Sequence, residues 1–116
     1  MSHERPEIPV VFYRTAGGIE PIRDWLRSLP PEDRQVVGTD LSTVQFAWPV
    51  GMPLCRSLGG GLWEVRSALP SRRIARLLFF VAGDRIGVVH GFIKKTQKTP
   101  AEDMALGRKR IKEMRA

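Results

Sequence analysis

Residues 74–81 read Ile-Ala-Arg-Leu-Leu-Phe-Phe-Val, eight positions of which only Arg76 is charged. The run is far too short for a membrane helix, which needs about 20 apolar residues. It does not alternate as a half-exposed strand would, so it predicts a strand covered on both faces. It also sets a problem. A guanidinium inside such a run must find a partner or reach an opening, because an unpaired buried charge is very costly.

The residues around this run change period near position 54. Before it, Val10–Tyr13 is a short β-branched and aromatic stretch stopped by Gly17-Gly18, and it predicts a first strand. Pro21 then opens a helix whose apolar stripe is Ile22, Trp25, Leu26 and Leu29, and Pro30-Pro31 ends it. A second helix starts with the acidic pair Glu32-Asp33, carries Val37, Leu41, Val44 and Trp48, and stops at Pro49. After residue 54 comes Leu54–Leu58, a short strand candidate, then Gly59-Gly60-Gly61 turns the chain into Leu62–Arg66. Pro70-Ser71 separates this from the run at 74–81, and Gly83-Asp84 marks a hairpin into Ile86–Ile93. The last element opens with Thr99-Pro100-Ala101-Glu102, a cap threonine with proline at the first helical position and glutamate three beyond the cap. Its apolar stripe is weak: Ala101, Met104, Ala105, Ile111 and Met114. Residues 1–8 show no periodicity and predict a frayed arm. The expected fold is one α+β domain over residues 1–116 of order β-α-α-β-β-β-α, a small, mainly antiparallel sheet with the two N-terminal helices packed on one face.

Charge narrows the function. The 116 residues hold 19 Lys+Arg and 12 Asp+Glu, a net +7. Residues 1–65 hold six basic and eight acidic side chains, whereas residues 66–116 hold thirteen basic and four acidic. A field this lopsided points to a polyanion, since cations that neutralise phosphates release condensed counterions; a solvated basic tail is the plainer alternative. One cysteine, Cys55, excludes an internal disulfide, and with His3 and His90 it does not make a zinc site. There is no Gly-Lys-Ser/Thr phosphate loop, no Gly-x-Ser-x-Gly elbow and no acidic cluster for paired magnesium ions, so ATP use and metal-assisted hydrolysis are not expected, nor is a cofactor. No secretion signal or membrane span is expected, and the expected location is the cytoplasm.

The candidate residues lie in the basic half. Arg66 stands on one strand, Arg76 on the next, with Arg72 and Arg73 between them, and Lys94, Lys95 and Lys98 follow the last strand. Alternation puts Arg66, Arg76 and one of the lysines on faces that could border a single depression if register cooperates. Each residue also has a structural reading. Arg66 and Arg76 suit cross-strand ion pairs, with Glu64 an ion-pair acceptor rather than a general base. The lysines suit a solvated loop. His90 is either a core histidine with one nitrogen satisfied or a catalyst, since histidine titrates near neutrality. Trp25 and Trp48 are core residues, and Trp63 is either core or a stacking platform for a base.

Three stretches together resemble the phage-derived, HigB-like branch of the RelE toxin superfamily: Leu58-Gly-Gly-Gly-Leu-Trp-Glu-Val-Arg66, Ala75-Arg-Leu-Leu-Phe-Phe-Val81 and His90-Gly-Phe-Ile-Lys-Lys-Thr-Gln-Lys-Thr-Pro100. Gly18–Leu26 and Leu29–Arg34 resemble that family's first two helices. The resemblance implies the toxin of a type II toxin–antitoxin pair, a ribosome-dependent, metal-independent mRNA endoribonuclease. Its partners would be mRNA, the ribosome and a cognate antitoxin, usually a helix-turn-helix protein. Catalytic roles then fall on Arg66 and Arg76 for phosphorane stabilisation and on Lys94 or Lys95 for proton transfer, with His90 a further candidate. Arg72, Arg73, Lys98, Lys109 and Arg110 are the expected RNA-binding set. The family's tyrosine, histidine or acid near the chain end has no tyrosine counterpart here, because the only tyrosine is Tyr13. A non-catalytic basic RNA- or DNA-binding module is the alternative. A transcription factor fits poorly, since the two adjacent helices lie in the acidic half.

Overall fold

A computed structural model describes residues 7–115, as β1 (Val10–Phe12), α1 (Pro21–Ser28), α2 (Pro31–Ala47), β2 (Cys55–Gly59), β3 (Leu62–Ala68), β4 (Ile74–Ala82), β5 (Arg85–Ile93) and α3 (Ala101–Arg115). The five strands form one sheet in the order β1-β5-β4-β3-β2, antiparallel except for β1 against β5. The fold is therefore the expected α+β type with one strand more: the short candidate at 54–58 is β2, an edge strand paired with β3. It was legible only as a fragment because a bulge between Ser57 and Gly59 interrupts its alternation. Gly59, Gly60 and Gly61 all take φ between 61° and 91°, a run that L side chains tolerate poorly, so the triple glycine is what lets β2 reverse into β3.

The central run behaves as its composition demands. Ala75 to Phe80 of β4 are all buried, with β3 and β5 on either side and helices above and below. α1 and α2 cover one face, over a core that includes Ile22, Val37, Leu41, Val44, Val65, Leu77, Phe79 and Val88. α3 does not join them. It lies on the opposite face, where Ile111 packs with Leu62, Leu78, Phe80 and Val89. The expected one-sided packing holds for the two N-terminal helices, and the third completes the second face that a continuous apolar strand requires.

Tight approach explains Gly91 of β5: a Cβ there would meet the Trp25 ring of α1 at 2.7 Å, so glycine leaves the room the indole occupies against the strand. Trp63 is a core residue, its ring edge-on to Trp48 at 4.9 Å between centroids. Of the expected N-terminal arm, residues 1–6 lie outside the described residues. Ile8 is docked: its N–H donates to the Gln45 carbonyl at 3.1 Å, and the Gln45 side-chain amide donates to the Ile8 carbonyl at 3.0 Å.

Candidate nucleic-acid interface

Antiparallel pairing of β4 with both neighbours brings two connections to the same end of the sheet. The β3–β4 turn carries Arg72 and Arg73; the β5–α3 connection carries Lys94 to Thr99. Between them opens a cleft of about 420 Å³ walled by Arg72, Arg73 and Ile74 on one side and Lys94, Lys95, Thr96 and Gln97 on the other. Four cations and no carboxylate line it.

Both walls are held in place. The Lys94 N–H donates to the Ile74 carbonyl at 2.7 Å, continuing the β4–β5 ladder into the loop, and Lys94 Nζ donates to Gln97 Oε1 at 3.4 Å. On the other wall, Asp33 reaches from the first turn of α2 and is 1% exposed. Its carboxylate accepts the Ser71 N–H at 3.2 Å and Arg73 Nη2 at 3.3 Å. Burial pushes the Asp33 carboxyl up, but hydrogen bonds from Ser71 and Arg73 outweigh it and hold its pKa below the ordinary value. Sequence reasoning missed Asp33 as a site residue, although the signal was present: it precedes Val37 by one helical turn on the same inward stripe. Arg72 sits at φ 65°, the one described non-glycine residue in the left-handed region. An arginine there costs roughly 1–2 kcal/mol over glycine-compatible geometry.

Arg76 is placed behind the cleft rather than in it. Register does set Arg66 opposite Arg76, with Phe92 next in the same row. However, Arg76 is 1% exposed, and its guanidinium is committed inward. Nη1 donates to Thr99 Oγ1 at 3.0 Å, Nη2 donates to the Gln97 carbonyl at 2.8 Å, and Nε lies 3.8 Å from Glu64 Oε2. Thr99 in turn donates to Glu64 Oε2 at 2.8 Å, and Glu64 is wholly buried. The expected threonine cap is thus corrected: the hydroxyl serves the Glu64–Arg76 pair, while the Pro100 carbonyl accepts the first helical N–H, from Met104 at 3.1 Å. The single depression bordered by Arg66, Arg76 and a lysine does not form.

Arg66 lines a second cleft, of about 480 Å³, that adjoins the first at Ile74. His90 is on the α3 side of the sheet, its Nε2 2.6 Å from Asp103 Oδ1 and its ring stacked on Phe92. Lys98 is exposed on the loop and Lys109 on α3. Arg110 is turned to the body of the protein, donating to the Val89 carbonyl at 2.9 Å and lying over the Tyr13 ring. Arg108 carried no sequence signal of its own, yet it anchors α3 to the glycine turn by donating to the carbonyls of Gly59 and Leu58 at 3.0 and 3.1 Å. Tyr13 donates to Glu113 Oε2 at 2.5 Å, and that hydrogen bond, with burial, raises the phenol above its ordinary pKa. No described helix is long and apolar enough to cross a membrane.

A small mixed sheet with helices on both faces and a cation-lined cleft at one end makes a compact α+β protein compatible with a small RelE-like fold. The chain belongs to the family described as "Phage derived protein Gp49-like", whose model matches residues 24–112, from α1 into the last turn of α3. This is a RelE-like, toxin-like family of toxin–antitoxin systems, for which a cognate antitoxin is the expected partner. No curated protein matches the chain.

Proposed function

We propose that this chain is the HigB-like toxin of a type II pair and cleaves mRNA on the translating ribosome without a metal, in the cytoplasm. The observation that supports this is the cleft lined by Arg72, Arg73, Lys94 and Lys95, of which only Arg73 is paired with a carboxylate, that of Asp33. Such a cleft suits a phosphodiester. The 2′-hydroxyl oxygen of the substrate attacks the adjacent phosphorus, its proton goes to a base, and the 5′-oxygen leaves with a proton from an acid. The products are a 2′,3′-cyclic phosphate and a 5′-hydroxyl. Arginine forks match the phosphorane's oxygens and keep their charge throughout, a task for Arg72 and Arg73, since Arg66 lines the neighbouring cleft. Lys94 and Lys95 are the proton-transfer candidates in reach of the same phosphate. Arg76 is a positioning residue that holds Gln97 and Thr99, and with them the lysine wall. His90 lies outside the cleft, so a part in the reaction requires the RNA to extend toward α3. The partner is a helix-turn-helix antitoxin, an acidic segment of which would neutralise the same cations.

The test is a cell-free translation reaction with the purified chain, with 5′ ends mapped on the mRNA beside a lane blocked before initiation. New ends in the translating lane alone are expected. Intact mRNA in both lanes, with folded protein, would favour the second reading, a non-catalytic RNA-binding module. One observation speaks for that reading: the cleft lining contains no side chain that ordinarily titrates near neutral pH.

A further inference from the structure

The cleft beside the cationic one has a different chemistry. Its walls are Val36, Pro53, Leu54, Ala68 and Ile74, and its only charged lining residues are Asp40 of α2 and Arg66 of β3. These two carry opposite charges yet do not pair. Among the described residues neither side chain has a hydrogen-bond or ion-pair partner, and Arg66 Nε is buried without one. Opposite charges in one half-buried place normally satisfy each other, and a buried guanidinium nitrogen left open is a group awaiting an acceptor. Apolar walls with a few convergent polar groups, in about 480 Å³, are the makings of a small-ligand site.

We propose that this second cleft is a nucleobase subsite in which Asp40 and Arg66 read a guanine of the bound RNA. The inference rests on the RNA reading above. Ile74 belongs to both clefts, so a phosphate on one side of it and its nucleotide's base on the other fit a single ligand. The apolar walls suit the faces of a flat ring. The polar edge decides which ring. Guanine presents two adjacent N–H donors, N1 and N2, which match the two oxygens of a carboxylate, and beside them O6, which takes a guanidinium N–H. Adenine and cytosine set a ring lone pair beside their single amino group, and it would face the second carboxylate oxygen. Uracil flanks its one N–H with two carbonyls. Only guanine leaves neither Asp40 nor Arg66 opposed.

The test uses the full chain and three fluorescent 2′-O-methyl RNA hexamers, which lack the attacking hydroxyl and so report binding alone. They are hexauridylate, the same hexamer with one internal guanosine, and the same with one adenosine, measured by anisotropy at low salt. The guanosine hexamer is expected to bind about tenfold tighter than the other two, the worth of one bidentate base contact. Asp40→Asn should abolish that preference while leaving hexauridylate binding nearly unchanged. Arg66→Gln should abolish it as well, and it decides the matter if Asp40→Asn melts early. Lys94→Gln should weaken all three hexamers alike and keep the preference. Salt-sensitive binding with no guanosine preference, or a preference that survives both variants, overturns the subsite and leaves the RNA reading standing. Failure to bind any hexamer overturns the subsite, while the translation assay decides the RNA reading separately.

Discussion

Two arginines four positions apart do opposite work. Arg76 is sealed between Glu64, Thr99 and Gln97, so its charge serves the interior. Removing it leaves Glu64 buried and unpaired, a change of about 3–5 kcal/mol. Arg76→Ala should therefore lower unfolding free energy in urea by that amount, and Glu64→Ala added to it should recover part of the loss; a deficit under about 1 kcal/mol would show the pair to be incidental. Arg72 is the reverse case, an exposed side chain on a strained backbone. Arg72→Gly should raise stability by up to about 1 kcal/mol while weakening RNA binding. Gain of stability with unchanged binding would mean that the strain supports nothing at the cleft.

At the scale of elements, the helices and strands were legible because their punctuation is strong. Proline opens α1 and α2, the glycine triplet ends β2, and the hydrophobic period changes where the sheet begins. What the sequence did not disclose was side-chain direction at the ends of strands. Arg66 and Arg76 are register partners, yet one lines a cleft beside an unpaired Asp40 and the other is interred with Glu64, Thr99 and Gln97. The family resemblance pointed to the basic loop; it did not point to Asp33, which ties α2 to the β3–β4 turn across 38 residues of chain. That tie has a pH signature. Because the folded carboxyl has the lower pKa, its stabilisation is present above the unfolded value of about 3.9 and is lost as pH falls through the folded one. The stability gap between wild type and Asp33→Asn should stay level from neutral pH down to about 5 and close below about 4. A gap independent of pH would place the effect in packing instead.

Taken whole, the molecule is electrically two-sided. The first 65 residues carry a net −2 and the remainder +9, by the counts of six against eight and thirteen against four. The acidic half supplies α1 and α2, and the basic half supplies the cleft walls and α3. Association with RNA should fall steeply with salt. Replacing both Lys94 and Lys95 by glutamine should reduce the logarithmic salt slope by about 1.4, near 0.7 for each single-strand phosphate that is no longer neutralised. The same double change should weaken the antitoxin complex if the two ligands share the cleft; unchanged antitoxin affinity would separate the surfaces. Cys55 offers an internal check on these variants, since burial and nearby Asp40 push its thiol up to about 11. It should resist alkylation at pH 8 until the chain unfolds.

One helix links the two clefts. Asp33 grips the arginine turn, and Asp40, seven positions later, stands in the wall of the neighbouring cleft. The two carboxylates are thus about 10 Å apart along a single rigid rod. A shift of α2 along its axis would carry both at once, loosening the hold on the arginine turn as it withdraws Asp40 from the neighbouring cleft. Grip and discrimination are in this sense geared together.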